Sequence, residues 1–319
     1  MKISIITPSY NQAGYLSQTI NSVLQQGYAN KEYIVVDGGS TDGSVEIIRE
    51  VQDQLTWWVS ENDNGQSDAI NKGLQRATGD IIGWINSDDF YEPNIFGFIV
   101  NCFKENPEAD VIYFDVRNIS GNHVEIFHHR PSYSPGLFLT KVCLHQPGVF
   151  WRRRIMEKVG YLDESLHYVM DFDFWIRMYL NGRMKYNPGV ISNFRIHNHS
   201  KTHDDPVELY QEKNRVIARI FKTFKDYPYL EELRKLDLIP PVTKEFTPAN
   251  NKLSQSDLKS VFIQHVINNA YLSYRMGDFS RTRSLLSYLR RKKYKTPPGM
   301  YVLRAKLFLQ TIFKSRNKS

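Results

Sequence analysis

Glu32-Tyr33-Ile34-Val35-Val36-Asp37 runs directly into Gly38-Gly39-Ser40-Thr41-Asp42-Gly43. The unbroken apolar stretch Tyr33–Val36 is what a strand buried on both faces requires. It ends on a carboxylate, and turn formers follow. The same unit recurs on either side. Upstream, Lys2-Ile3-Ser4-Ile5-Ile6-Thr7-Pro8-Ser9-Tyr10 is an apolar run closed by Thr-Pro, and Leu16, Ile20, Val23 and Leu24 then keep helical spacing. Downstream come a helix from Val45 to Val51, a strand over Thr56–Ser60, a helix over Asp68–Ala77 and a strand over Asp80–Asn86. Strands alternating with helices in this way predict an α/β architecture with a parallel sheet covered on both faces. Ligands of such sheets sit beyond the carboxyl ends of the strands. Thr7, Asp37, Glu61 and Asp88 all fall there.

Beyond this region the pattern is more mixed. Strands are expected over Asp110–Val116, Val124–His128 and Val190–Ile196, and a helix over Leu166–Asn181. After about residue 205 the chain reads as helical, with segments Val207–Phe224, Asp257–Met276 and Arg281–Arg291. Pro240, Pro241 and Pro248 mark a linker over Ile239–Asn251. The expected division is therefore 1–205 and a helical C-terminal region, 206–319.

The chain has 319 residues and a net charge of +7, yet twelve Lys or Arg and no acid lie from Arg281 onward. The preceding 280 residues carry 29 basic against 34 acidic groups. That distribution argues against a nucleic-acid-binding core and for a basic tail, residues 281–319, that meets an anionic surface. Leu285, Leu286 and Leu289, and later Leu303, Leu307, Phe308, Ile312 and Phe313, alternate with the basic groups, as in helices that lie on anionic membranes. A packing helix would show the same pattern. Cys102 and Cys143 are far apart, so neither a disulfide framework nor a structural zinc site is expected, and a reducing compartment fits. No signal peptide and no spanning helix are expected. The expected location is the cytoplasm, with peripheral attachment to the inner face of the cell membrane.

Four constellations carry chemistry. Asn86-Ser87-Asp88-Asp89 puts two carboxylates at a buried strand end, where a hard divalent cation shared with substrate phosphates would offset their charge; an ordinary solvated loop start would read the same. Asp37, at its strand tip, can accept hydrogen bonds from a ribose hydroxyl or a base N–H. The spacing after it is not that of the dinucleotide fingerprint. Asp68 and Lys72 share one face near a helix start, which suits a diphosphate, although Asp68 also reads as a cap. Asp171, in Tyr168-Val169-Met170-Asp171-Phe172-Asp173, sits among apolar neighbours where a carboxylate can serve as a general base; helix capping is the bland alternative, and Asp173 pairs more naturally with Arg177. His145, Gln146 and His197 form no recognised zinc spacing.

Taken in order, Thr7-Pro8-Ser9-Tyr10-Asn11, Val36–Gly43, Asp68–Gly73 and Asn86–Asp89 give the chain its resemblance to the family 2 glycosyltransferases. The resemblance covers about residues 1–205. It implies a GT-A fold, with a Rossmann-like nucleotide-binding sheet flanked by helices, here with a C-terminal helical extension. It implies sugar transfer, with inversion, from a nucleotide-sugar donor, a UDP-sugar, to a saccharide or lipid-linked oligosaccharide in cell-surface polysaccharide biosynthesis. Thr7, Pro8 and Tyr10 would line the nucleotide pocket and Asp37 would read base or ribose. Asp68, Lys72, Ser87 and Asp88 would lie along ribose and diphosphate. Asp88, Asp89 and His197 would hold Mg²⁺ or Mn²⁺, Asp171 would be the catalytic base, and His145 and Gln146 would lie on the acceptor side. The chain departs from the family pattern at Asn86, where an acid is usual, and at Met170 before the base. A catalytically degenerate scaffold and a nucleotidyltransferase are the competing readings. The second would need a Gly-rich basic loop where Pro8–Gln12 stands.

Overall fold

The structure, a computed structural model, describes residues 1–198, 200–201, 207–242, 244–248 and 253–294. Three strand–helix units and a fourth strand open the chain. β1 (Ile3–Ser9) leads to α1 (Ala13–Leu24), β2 (Lys31–Asp37) to α2 (Ser44–Glu50), β3 (Trp57–Ser60) to α3 (Gln66–Arg76), and β4 (Ile81–Trp84) follows. β5 (Phe90–Tyr91), α4 (Ile95–Glu105), β6 (Val111–Ser120) and β7 (His123–Phe127) come next. Then come α5 (Pro135–Phe138), β8 (Val149–Arg152), α6 (Arg153–Val159), α7 (Met170–Asn181) and β9 (Met184–Arg195). The chain continues through α8 (Val207–Thr223), α9 (Tyr227–Lys235), α10 (Gln255–Arg275) and α11 (Phe279–Arg291).

All nine strands among the described residues belong to one sheet of order β3-β2-β1-β4-β8-β6-β9-β5, with β7 paired to the far half of β6. The first four strands are parallel, as the strand–helix alternation predicts. β8 then runs antiparallel to β4, and the rest of the sheet is mixed. The register aligns the carboxyl ends, with Ser9 opposite Asp37 and Asp37 opposite Ser60. Strands β1, β2 and β4 are buried along nearly their whole length, which explains their near-continuous apolar sequences. Leu16, Ile20 and Val23 of α1 and Phe96, Ile99 and Phe103 of α4 share one core cluster with Ile3, Ile5, Val35 and Phe150. On α3 the close approach to β1 needs a glycine: a Cβ on Gly73 would meet Ile6 Cγ2 at 2.5 Å.

The chain divides into two compact units. The first comprises Met1–Tyr133, Val142–Lys213 and a short stretch from Thr247, and holds the whole sheet. The second comprises Ser134–Lys141, Asn214–Phe246 and the described residues from Leu253 onward. Within it α10 starts in a capping box of Ser254 and Asp257 and packs against α5, where Asn268 donates to the Thr140 carbonyl at 2.9 Å. Asp278 caps α11 by accepting from the Arg281 N–H, so the helix begins at Phe279. Leu285, Leu286 and Leu289 are buried, and α11 packs on α10. Of the readings that the sequence left open for this stripe, the packing helix is the one that α11 follows, and its exposed side carries Arg290 and Arg291. The later apolar positions, Leu303 to Phe313, lie outside the described residues. No helix among the described residues is long and apolar enough to cross a membrane.

Candidate active site

Asp37 is fully buried at the tip of β2, and its carboxylate is filled by the protein itself. Oδ2 accepts from the Gly39 N–H at 3.1 Å, the Ser40 N–H at 2.9 Å and the Ser60 hydroxyl at 2.7 Å, while Oδ1 takes the Ser40 hydroxyl at 2.5 Å. Four donors on one carboxylate fix the Gly38–Ser40 turn against β3. Thr7 also turns inward: its hydroxyl lies 2.9 Å from that of Tyr33 and the residue is fully buried. Pro8 is buried as well, and of the three expected pocket-lining residues Tyr10 alone presents its side chain to solvent.

The N-terminal half of α3 links the end of β3 and the loop after β4 to the segment that precedes α7. Asp68 does not cap the helix from outside but sits in its first turn, where its carboxylate accepts the Asn64 N–H at 2.9 Å. Lys72 reaches Glu61 at 2.8 Å and Asp68 at 3.5 Å, tying α3 to the end of β3. Gln66 donates to Asn86 Oδ1 at 2.9 Å, which gives the Asn in place of the usual acid a defined partner. On the other side Ser67 donates to the Leu166 carbonyl, and Asn71 pairs with Leu162 and Glu164, holding the segment that leads into α7.

The loop after β4 is held from beneath by α1. The Thr19 hydroxyl lies within reach of the Ser87 and Asp89 carbonyls, at 2.8 and 2.6 Å. Asp88 and Asp89 then diverge. Asp88 Oδ2 lies 3.1 Å from His197 Nε2, and His197 stacks on Tyr15 with centroids 4.7 Å apart. Asp89, expected beside the metal, points the other way. It is fully buried and accepts the Arg195 N–H at 2.8 Å, and burial with the neighbouring Asp88 charge pushes its pKa well up. No group of three His, Cys, Asp or Glu side chains able to hold a metal occurs among the described residues. Asp88 and His197 do present one hard oxygen and one imidazole nitrogen. That pair suits a divalent cation whose other positions are filled by phosphate oxygens and water.

Arg195 was not anticipated. Its guanidinium lies over the rings of Phe90 and Tyr15, at 4.4 and 5.3 Å, and donates to the Asp88 carbonyl and to Gln18. It fixes the backbone of the acidic loop. The signal was its place two residues before His197, but only the fold brings β9 beside β5.

Asp171 stands in the first turn of α7, half-buried. Burial raises its pKa to about 6, against the pull of the Phe172 N–H and the Lys201 ammonium. Asp173 is different: it is 1% exposed and paired with Arg177 at 2.8 Å, so it is engaged in holding α7. Beneath them Trp84, Trp151, Phe174 and Trp175 form an aromatic block. Gln146 donates to the Trp84 carbonyl and braces the end of β4. His145 packs against Phe127 and Phe194, and burial drives its pKa down to about 4, leaving it neutral near pH 7.

The sequence pattern described as glycosyl transferase family 2 matches residues 4–181, more than half of the chain. The chain belongs to this family. An uncharacterized glycosyltransferase of Rickettsia typhi is 30% identical over 209 residues, covering 63% of this chain and 65% of that relative. The chain thus spans just under two-thirds of this relative's length. Among solved structures, residues 1–349 of S. aureus TarS in complex with UDP-GlcNAc give a TM-score of 0.59 at 19% identity, covering 93% of each chain. The mannosyltransferase PcManGT of Pyrobaculum calidifontis, in complex with GDP-Man and Mn²⁺, gives 0.54 at 15% identity, over 97% of this chain and 80% of that one. The sheet and its flanking helices are those of the GT-A fold.

Proposed function

We propose that this family 2 chain is a glycosyltransferase that moves a sugar from a nucleotide-sugar donor, a UDP-sugar, to a hydroxyl of a saccharide or lipid-linked oligosaccharide, with inversion, in cell-surface polysaccharide biosynthesis. One observation carries the reading: at the head of α7 stands a half-buried carboxylate with its pKa raised to about 6, anchored through α3 to the loop that holds Asp88. A general base works best with a pKa near the operating pH. Asp171 takes the acceptor proton as that oxygen attacks the anomeric carbon, and the leaving diphosphate departs on the opposite face. Tyr10, Asp37, Asp68 and Ser87, with Thr7 and Pro8 beneath, shape the nucleoside and ribose side, and the Gly39 and Ser40 turn is held ready by Asp37. Lys72 and the start of α3 add positive potential near the diphosphate. Asp88 and His197 would hold Mg²⁺ or Mn²⁺, which when bound offsets the charge that builds on the diphosphate. The UDP preference and the metal rest on likeness to the TarS and PcManGT complexes. His145 and Gln146 are assigned to the acceptor side, residues 1–205 to catalysis, and the basic tail to an anionic membrane surface.

The test is a panel of UDP-, GDP-, dTDP- and CMP-sugars with Mn²⁺ or Mg²⁺, scored by thermal shift and by slow hydrolysis. A shift with UDP-sugars, lost with EDTA and in Asp88→Ala, is expected. Absence of any shift on folded protein would overturn the reading.

A further inference from the structure

Residues 167–169 lead into α7, and Val169, its N-cap, brings no side-chain hydrogen bond to the helix start. Three successive backbone N–H groups there are instead taken by one distant side chain. Glu212 of α8 accepts from His167 at 2.8 Å, from Tyr168 at 2.7 Å and from Val169 at 3.2 Å. Glu212 is 3% exposed. A buried carboxylate is costly unless its hydrogen bonds are made, and charge-assisted bonds to N–H groups are the strong kind. An anion at a helix N-terminus also meets the positive end of the helix dipole. The carboxylate that replaces the missing cap therefore comes from the other side of the segment already gripped by Ser67 and Asn71 of α3. Two residues beyond the last of these N–H groups stands Asp171.

We propose that Glu212 is a positioning residue for the catalytic carboxylate, fixing the direction in which the first turn of α7 presents Asp171. The role rests on the reading of Asp171 as the base. Lys201, whose Nζ lies 5.5 Å from the Tyr168 ring centroid and feels the charges of both Glu212 and Asp171, belongs to the same arrangement. Glu212 lies outside residues 4–181, the span matched by the family pattern, whereas the three N–H groups that it accepts from lie inside it.

The experiment compares the full chain with Glu212→Gln and Glu212→Asp, alone and combined with Asp171→Asn. In Glu212→Gln an amide NH₂ faces at least one of the three N–H groups, so one bond is lost with little change of volume. Amide hydrogen exchange at His167, Tyr168 and Val169 is expected to quicken while β1 and β2 amides keep their rates. Turnover of the donor selected by the nucleotide-sugar panel is expected to fall by about ten- to a hundredfold, as a misplaced reactive group does. The donor KM should stay within about twofold, because a loss confined to the reacting group leaves ground-state binding intact. Glu212→Asp, which keeps the charge, should recover part of the turnover. In the Asp171→Asn background Glu212→Gln should cost nothing further. Unchanged exchange at 167–169, or the same fractional loss with and without Asp171, overturns the positioning role. An inactive Asp171→Asn beside a fully active Glu212→Gln overturns that role alone, whereas wild-type turnover in Asp171→Asn overturns the base reading and the positioning role with it.

Discussion

His197 Nε2 stands 3.1 Å from Asp88 Oδ2, with Tyr15 stacked on the imidazole and Arg195 bonded to the Asp88 carbonyl. The pair is therefore held by its surroundings from both sides, and Asp89 contributes from the core by binding the backbone of Arg195. The three residues that the sequence reading grouped around a metal thus separate into two that face one another and one that supports them.

The first prediction concerns that pair. Donor plus Mn²⁺ should raise the melting temperature, as any ligand of the native state does, and EDTA should remove the metal-dependent part. His197→Ala is expected to weaken the Mn²⁺ dependence by at least about tenfold in midpoint concentration, comparable with the loss of a supporting ligand contact. Asp88→Asn should remove it. A Mn²⁺ titration of donor-induced thermal shift reads both. An unchanged midpoint in His197→Ala would remove that residue from the site.

The second concerns pH. The pKa of Asp171 is raised by burial to about 6, so the base is ionised above that value and protonated below it. Turnover should fall tenfold per unit as pH drops below about 6, and the limb should vanish in Asp171→Asn. The stability effect has the opposite sense. A carboxyl whose folded pKa exceeds its unfolded value favours folding when protonated, and this benefit is lost as pH rises through the folded pKa. Asp171→Asn should accordingly melt higher than the wild type at pH 8, with the gain disappearing near pH 4. Scanning calorimetry across that range decides it.

The third concerns the β2 tip. Asp37→Ala removes the acceptor of four donors in a buried turn. Unpaired buried donors and lost charge-assisted bonds together should cost about 2–4 kcal/mol, visible in urea unfolding. Nucleotide affinity should fall with it, because the Gly38–Ser40 turn loses its anchor. Gly73→Ala offers a contrast: its Cβ would meet Ile6 at 2.5 Å, so a loss of about 1–3 kcal/mol from overpacking is expected with no change in the metal dependence.

The fourth separates the tail from α11. Ending the chain after residue 280 removes Leu285, Leu286 and Leu289 from the interior of the second unit and should lower its stability. Ending it after Tyr294 keeps these three leucines and isolates the contribution of residues 295–319. Flotation on liposomes rich in anionic lipid is expected for the full chain and reduced for the chain ending at 294. Equal flotation would reject residues 295–319 as an anchor.

The first half of the fold was legible because each of β1, β2 and β4 is buried along its length, so burial alone writes the strand into the sequence. The later elements were harder for specific reasons. β5 is two residues long and exists only by pairing with β9. α4 begins at Ile95 behind Asn94, an N-cap in the left-handed conformation that makes no side-chain cap bond, so no start signal marks it. β9 begins at Met184, ahead of the expected Val190, because a bulge opposite Tyr113 and Asp115 absorbs Asn187-Pro188-Gly189, with Gly189 at φ 138°. α7 starts at Met170, after the expected Leu166, because residues 167–169 form a bend ahead of the helix and give their N–H groups to Glu212. Motif residues of the site stood out by type and position, but the contact of Asp88 with His197, the inward turn of Thr7 and Asp89, and the bracing by Arg195 depend on elements far apart in sequence.

Trp84 and Trp175 stack at 5.4 Å with an 11° tilt, at the end of β4 and within the first turns of α7. One indole thus rides on the strand that feeds the acidic loop and the other on the helix that carries Asp171. With Trp151 at 5.5 and 5.7 Å from the two, the three indoles lie close enough for their excited states to couple, so their dichroism and emission should respond to the spacing between β4 and α7. The protein therefore carries its own optical gauge: a donor or acceptor that shifts α7 against β4 would register without any label, and one that leaves the signal unchanged would show a site already set for reaction before its substrates arrive.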